Sequence, residues 1–234
     1  MTYKSKSKKH EGKQIEAIIS DACGILFSIG QARKLYFDLM DLGKELNMSY
    51  EDYDKSFKVF EKRAQTEPNY EISDAYRDYF KSLNREDLYD KYNQFKQEKM
   101  KLDILPQVKS TLAQLKSKGV KYILASDSYK SSSFLKDRLK DMGLNELIYD
   151  AYSSKTIGET KPSQKFFDTI LNDLELKKGK VAFLGHDVDE LEGAHKLGYK
   201  TIALHYTPKD EPKIGYAKKI KNFSDLTKVV EKYK

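Results

Sequence analysis

The sequence predicts an α/β protein: a parallel sheet with helices on both faces, plus an all-helical insertion after the first strand. Three observations predict it. Short apolar runs recur, each ending on small or polar residues, as strands buried on both faces do. Segments with apolar residues at helical spacing separate the later runs, which makes βαβ units and therefore a parallel sheet. The stretch 30–101 shows helical periodicity and no convincing strand.

The first strand is expected over Ile15–Asp21. Ahead of it, Lys4, Lys6, Lys8 and Lys9 make residues 1–13 read as a disordered basic tail. From 30 to 101, Tyr36, Leu39, Met40, Tyr53, Phe57, Phe60, Tyr76, Tyr79 and Phe80 fall at helical intervals, with charges on the other faces. Three to five amphipathic helices follow, forming a separate helical domain whose aromatic stripe is its own core. The α/β domain then comprises 14–29 and 102–234. In it, Leu105, Val108, Leu112 and Leu115 mark a helix that Gly119 ends. A strand over Lys121–Ser126 comes next, and then a helix carrying Phe134, Leu135, Leu139 and Met142 before Gly143. The strand Tyr149–Ser153 precedes a helix with Phe166, Phe167, Ile170 and Leu174. Strands Lys180–Gly185 and Tyr199–Leu204 complete the set.

Composition excludes several classes. The 43 Lys and Arg residues outnumber 36 Asp and Glu, a net charge of +7, but the basic residues are scattered along helical segments. Nucleic-acid binding is therefore not expected. A single cysteine excludes an intramolecular disulfide framework and metal-knuckle spacing. No apolar run approaches a membrane span, and the polar N-terminus lacks a signal-peptide pattern. A soluble, cytoplasmic protein is expected, with no membrane partner. Its oligomeric state is not legible.

Ligands of open α/β sheets sit at the carboxyl ends of the strands, so the residues closing each strand carry the functional reading. Asp21 ends the first, followed by Cys23 and Gly24. A carboxylate on such a turn can attack an electrophile, and Gly24 lets the loop approach a substrate; an Asp after a strand is as often a helix cap. Ser126, Asp127 and Ser128 close the second, where a hydroxyl and backbone N–H groups can hold an anion or merely cap a helix. Lys161 precedes Pro162, which sets a helix start; a lysine there can neutralise a phosphoryl oxygen. His186, Asp187, Asp189 and Glu190 close the fourth strand, and acids so crowded suit a magnesium ion, if they are not simply solvated.

In this order and spacing the four segments resemble the haloacid dehalogenase superfamily of hydrolases, along with "LPQVKSTLAQLKSKGVKYILASDS", "KPSQKFF", "GAHKLGYKTIAL" and the ending "IKNFSDLTKVV". The resemblance runs from Ile15 to about Leu226 and implies a Rossmann-like core, with 30–101 in the place of that family's C1 cap. It implies roles for the residues as well. Asp21 is the nucleophile, Ser126 hydrogen-bonds the transferred group, and Lys161 pairs with both. Gly24, Asp127 and Ser128 contact the substrate. Magnesium is held by Asp21, the Cys23 backbone carbonyl and an acid among Asp187, Asp189 and Glu190. The substrate implied is a small phosphorylated metabolite.

The pattern breaks in two places. Phosphatases of the family carry D-x-D-G-T-L where this chain has D-A-C-G-I-L, so Cys23 replaces the acid/base Asp and Ile25 the Thr. A thiol titrates at about 8.5 and is a poor base at neutral pH; losing acid–base help costs about 10²–10⁴-fold. Aligned on Gly185, the usual G-D-x-x-x-D becomes Gly185-His186-x-x-x-Glu190. The expectation is a magnesium-dependent phosphatase, impaired to the extent that Cys23, among its catalytic positions, fails as an acid/base. Its alternatives are a catalytically inactive member that binds a ligand or partner, and a haloacid dehalogenase. Against the last, Asp127 stands where dehalogenases have Asn, and Arg33, which could bind a halide, reads as an exposed helix residue.

Overall fold

The computed structural model describes residues 14–28, 32–95 and 103–233. The tail expected over 1–13 and the cap boundaries expected at 30 and 101 lie outside the described residues.

Strand β1 spans Ala17–Ser20. Five helices follow it: α1 Ala32–Leu39, α2 Leu42–Glu45, α3 Tyr50–Thr66, α4 Ile72–Ser82 and α5 Asp87–Phe95. The chain then alternates through α6 Val108–Ser117, β2 Lys121–Ser126, α7 Ser132–Asp141, β3 Asp150–Ser153 and the short α8 Ser154–Ile157. It continues with α9 Gln164–Asp173, β4 Val181–Gly185, α10 Val188–Lys196, β5 Lys200–Ala203, the two-residue β6 Lys218–Lys219 and α11 Leu226–Lys232.

The sheet is parallel throughout, in the order β3-β2-β1-β4-β5-β6. Period-two alternation divides its side chains between two apolar layers. Ile18, Tyr122, Leu124, Ala182 and Leu184 face one layer, packed with Val108, Leu112 and Leu115 of α6 and with α11. Ala17, Ile19, Ile123, Ala125 and Phe183 face the other, packed with Phe166, Phe167 and Ile170 of α9 and with Leu191 of α10. The strands could be uninterrupted apolar runs because both faces are covered.

This order places the site. The chain leaves β1 toward β2 on one side and returns to β4 on the other. Ser20 lies opposite Leu124 and Leu184. The residues that follow β1, β2 and β4 therefore meet at the switch point of the sheet, the crevice such folds use for ligands.

The helices between β1 and β2 have their own core, centred on Tyr53, Phe57, Tyr76, Tyr79 and Phe80. Tyr76 stacks on Tyr92 at 4.0 Å, and Phe57 lies edge-on to Tyr79 at 5.3 Å. Leu39 departs from the expected stripe: it is 39% exposed. The sequence also places a helix directly after Ser128, but α7 begins at Ser132, capped by the Ser131 hydroxyl accepting from Phe134 N–H. Residues 127–131 are instead a loop under the helical domain.

Lys155, on α8, ties the two parts together. Its Nζ donates to the carbonyls of Ala64, Glu67 and Tyr70 at 3.0, 2.6 and 2.8 Å. Helix α3 ends at Thr66, so Ala64 O is one of the carbonyls that have no partner within the helix. A cation there meets both that need and the negative end of the helix dipole. Lys155→Met is expected to cost about 1.5–3 kcal/mol in denaturant unfolding, the range for hydrogen bonds to a charged group. An unchanged unfolding midpoint would show that Lys155 does not hold the cap.

Candidate active site

Asp21 stands one residue past β1, its backbone N–H still donating to Leu184 O at 3.0 Å. Ser20, buried behind it, donates its hydroxyl proton to Asp21 O at 2.8 Å and accepts from the Tyr122 phenol at 2.6 Å. This chain of hydrogen bonds fixes the backbone that carries the carboxylate. Beyond it, residues 22–27 fold into a tight loop. Gly24 takes a φ of 75°, a conformation glycine adopts without strain, and donates to Phe27 O. Ile25, at the family's Thr position, is fully buried in the apolar core.

Lys161 is buried, its side chain 1% exposed, with Nζ 2.5 Å from Asp21 Oδ1 and 3.1 Å from Glu190 Oε2. Its backbone N–H donates to Asp127 Oδ1 at 3.1 Å, so the loop after β2 locates the segment that carries it. The helix that follows starts at Gln164 on the cap Ser163, two residues later than the Lys-Pro pair suggests. On the other side of Asp21, His186 Nε2 lies 3.4 Å from Oδ2 and 3.0 Å from the Cys23 carbonyl.

Charge follows this geometry. Burial works to raise the Asp21 carboxyl, but Lys161 and His186 outweigh it and hold it down at about 2. Asp21 is therefore ionised, as a nucleophile must be. Burial works to lower the Lys161 ammonium, but Asp21, Glu190 and Asp127 outweigh it and hold it above the usual lysine value. His186 is raised above the ordinary imidazole, first by its hydrogen bond with Asp21. Glu190 is pushed up to about 7, first by burial and against the pull of Lys161. Burial likewise raises Asp127.

The sequence leaves open which of Asp187, Asp189 and Glu190 joins Asp21 and the Cys23 carbonyl at a cation, and the structure gives the three acids different surroundings. Asp187 caps α10, accepting from the N–H groups of Asp189 and Glu190 at 2.8 and 3.1 Å. Asp189 is exposed, and Glu190 turns to Lys161. Magnesium requires near-octahedral oxygen ligands. Asp21 Oδ2 and Cys23 O, the two oxygens assigned to it by resemblance, both face the imidazole. Among the described residues, no group of three His, Cys, Asp or Glu side chains is placed to hold a metal. This donor set does not fit magnesium.

Cys23 is exposed at the mouth of a cavity of about 400 Å³ between the sheet and the helical domain. Ser126, Asp127 and Ser128 line it, with Phe27, Phe134, Leu135 and Met142 as its apolar wall. Ser128 also braces the loop after β2, since its N–H donates to Ser154 Oγ at 3.0 Å and its hydroxyl accepts from Lys130 N–H at 3.1 Å. Arg33 corrects an expectation. Its side chain is only 16% exposed and is paired with both Asp54 and Glu61, whose Oε1 also accepts from Tyr129 at 2.5 Å. No local sequence signal announces this group, because its members come from three distant segments.

A family model for haloacid dehalogenase-like hydrolases matches residues 44–204, and the chain belongs to that family. The matched stretch begins after the Asp21 loop. Among solved structures the chain is similar to a predicted phosphoglycolate phosphatase from Haemophilus somnus 129pt (18% identity, 92% of this chain and 98% of that one, TM-score 0.60). It is also similar to a 2-haloacid dehalogenase from Pseudomonas syringae pv. Tomato DC3000 (18% identity, 94% and 100%, TM-score 0.62). At such identities the likeness is one of fold. No curated protein matches the chain. Among the described residues no helix is long and apolar enough to cross a membrane.

Packing and charge at this site can each be tested. A Cβ on Gly193 would collide with Pro162 Cγ, so α10 can approach the Lys161 segment only with glycine there. Gly193→Ala is expected to cost about 1–3 kcal/mol of stability by overpacking, measured by denaturant unfolding; no loss would show that the contact is loose. For charge, the readout is pH. Because Glu190 has a folded value near 7, above its unfolded one, its contribution is full below the unfolded value and lost as pH rises through 7. The melting temperature should therefore fall between about pH 5 and about pH 8, and Glu190→Gln should flatten the fall. An unaltered slope in the variant would count against it.

Proposed function

We propose that the chain hydrolyses small phosphomonoesters through an aspartyl-phosphate on Asp21, without magnesium. The observation that carries this reading is the buried Lys161 ammonium 2.5 Å from Asp21 Oδ1, which keeps the carboxylate ionised and offers positive charge to phosphoryl oxygens. A phosphatase among the chains of like fold is in keeping with it.

In the first step an Asp21 oxygen bonds to phosphorus, the P–O bond to the leaving group breaks, and that oxygen departs with the electron pair. In the second, water attacks phosphorus, the P–O bond to Asp21 breaks with its electron pair restoring the carboxylate, and phosphate leaves carrying the water's oxygen, its protons passing to phosphate and solvent. Lys161 neutralises the transferred group, Ser126 donates to it, and the cavity beside Cys23 takes the organic part. Such chemistry is mostly positioning and charge stabilisation. With Cys23 where the family has its acid/base, neither the proton for the leaving oxygen nor a base for water is well supplied. The enzyme therefore favours esters whose leaving group is stable as an anion, and the phosphoenzyme accumulates.

Dehalogenation is the second reading, favoured by a site without a magnesium donor set and by the apolar cavity wall. It is opposed by Arg33, which its two carboxylates already neutralise, and by Asp127, which would repel a departing halide.

The test is hydrolysis of an aryl and an alkyl phosphate by the wild type, Asp21→Asn and Cys23→Asp. The aryl ester should be turned over by the wild type and not by Asp21→Asn, with one phosphoryl group found on Asp21 by mass spectrometry. Cys23→Asp should raise alkyl-ester turnover by about 10²–10⁴-fold. Equal turnover by Asp21→Asn would remove the nucleophile from the mechanism. A wild type inert to both esters but releasing halide from a haloacid would replace this reading with the second.

A further inference from the structure

We propose that the His186 imidazole stands in for the family's metal ion, as a built-in positioning residue that makes this site independent of divalent cations. Three observations converge on it. His186 is the first residue after β4, where the family's G-D-x-x-x-D pattern has its first Asp, so the exchange removes a carboxylate from the motif. Its Nε2 faces Asp21 Oδ2 at 3.4 Å and the Cys23 carbonyl at 3.0 Å, two oxygens assigned to the metal. Of the remaining acids, Asp187 caps α10, Glu190 turns to Lys161 and Asp189 is exposed.

The tautomer follows from the contact. A carbonyl oxygen can only accept, so the hydrogen must lie on Nε2. That N–H is shared between Cys23 O and Asp21 Oδ2, and one side chain therefore makes the two contacts a bridging cation would make. It holds Asp21 Oδ2 toward the Cys23 loop while Lys161 holds Oδ1, which fixes the plane of the nucleophile. A nitrogen whose hydrogen is committed to two oxygens has no lone pair for a proton from water, so this Nε2 orients and does not act as a base. The ring also fills the space a metal would need, since bringing an ion to these oxygens means moving the imidazole out. The side chain is 31% exposed and also borders a second cavity of about 570 Å³, so it has solvent to swing into if an ion could displace it.

This inference rests on the reading of Asp21 as the nucleophile, but its test does not require turnover. Magnesium chloride is added to the intact wild type, His186→Asp and His186→Gln, with binding followed by calorimetry and by melting temperature. The wild type and His186→Gln should show neither heat nor shift, and His186→Asp should bind magnesium and melt higher in its presence. Aryl phosphate hydrolysis by the wild type should be the same in magnesium as in chelator. Magnesium binding by the wild type, lost in Asp21→Asn, would overturn the proposal, and so would hydrolysis that chelator abolishes. Should His186→Asp fail to fold, the wild-type titration still decides. Inertness toward phosphate esters with this binding pattern intact would sink the phosphatase reading and leave the role of His186 standing.

Discussion

The buried ammonium of Lys161 is the interaction on which the site depends. A buried cation sits between two partly exposed carboxylates, and burying a charge is costly unless it is partnered. Lys161 meets Asp21 on one side and Glu190 on the other, and one positive charge cannot satisfy two full negative ones. The imbalance is resolved by differentiation. Asp21, with His186 as a second partner, keeps its charge, while Glu190 is pushed toward protonation. Similar groups acquire different chemical roles from their surroundings alone.

Holding that lysine in place engages elements far apart in the chain. Asp127 accepts from its backbone, and α10 presents Gly193 to Pro162 at a distance no side chain would permit. Ser20 and Tyr122 fix the backbone of Asp21 from behind. Polar contacts help join the helical domain to this frame. Lys155 grips the end of α3, and Tyr129 under the cap meets Glu61 inside it.

Cys23 and His186, the two departures from the family pattern, touch one another: the backbone of the first accepts from the ring of the second. They are therefore neighbours in one local arrangement, and the proposed role of His186 treats them together. The proposed chemistry keeps the covalent step at Asp21 and gives up much of the proton transfer around it.

The sequence by itself determined the sheet, its parallel sense and the helical insertion. These follow from periodicity and from the length of each segment between strands, which are local properties. It also determined that Asp21, Ser126 and the His186–Glu190 turn follow strands that neighbour one another at the switch point, whereas Lys161 lies beyond β3 and α8 and only folding carries it to Asp21. Tertiary structure decided what each of them does there. Whether Asp187 binds an ion or caps α10, whether Glu190 is ionised, and whether Arg33 faces solvent or two carboxylates depend on partners from other segments. Above all, only the folded chain brings the His186 ring against Asp21 and the Cys23 carbonyl. Side-chain direction and burial at long range, which no spacing encodes, decide those partners.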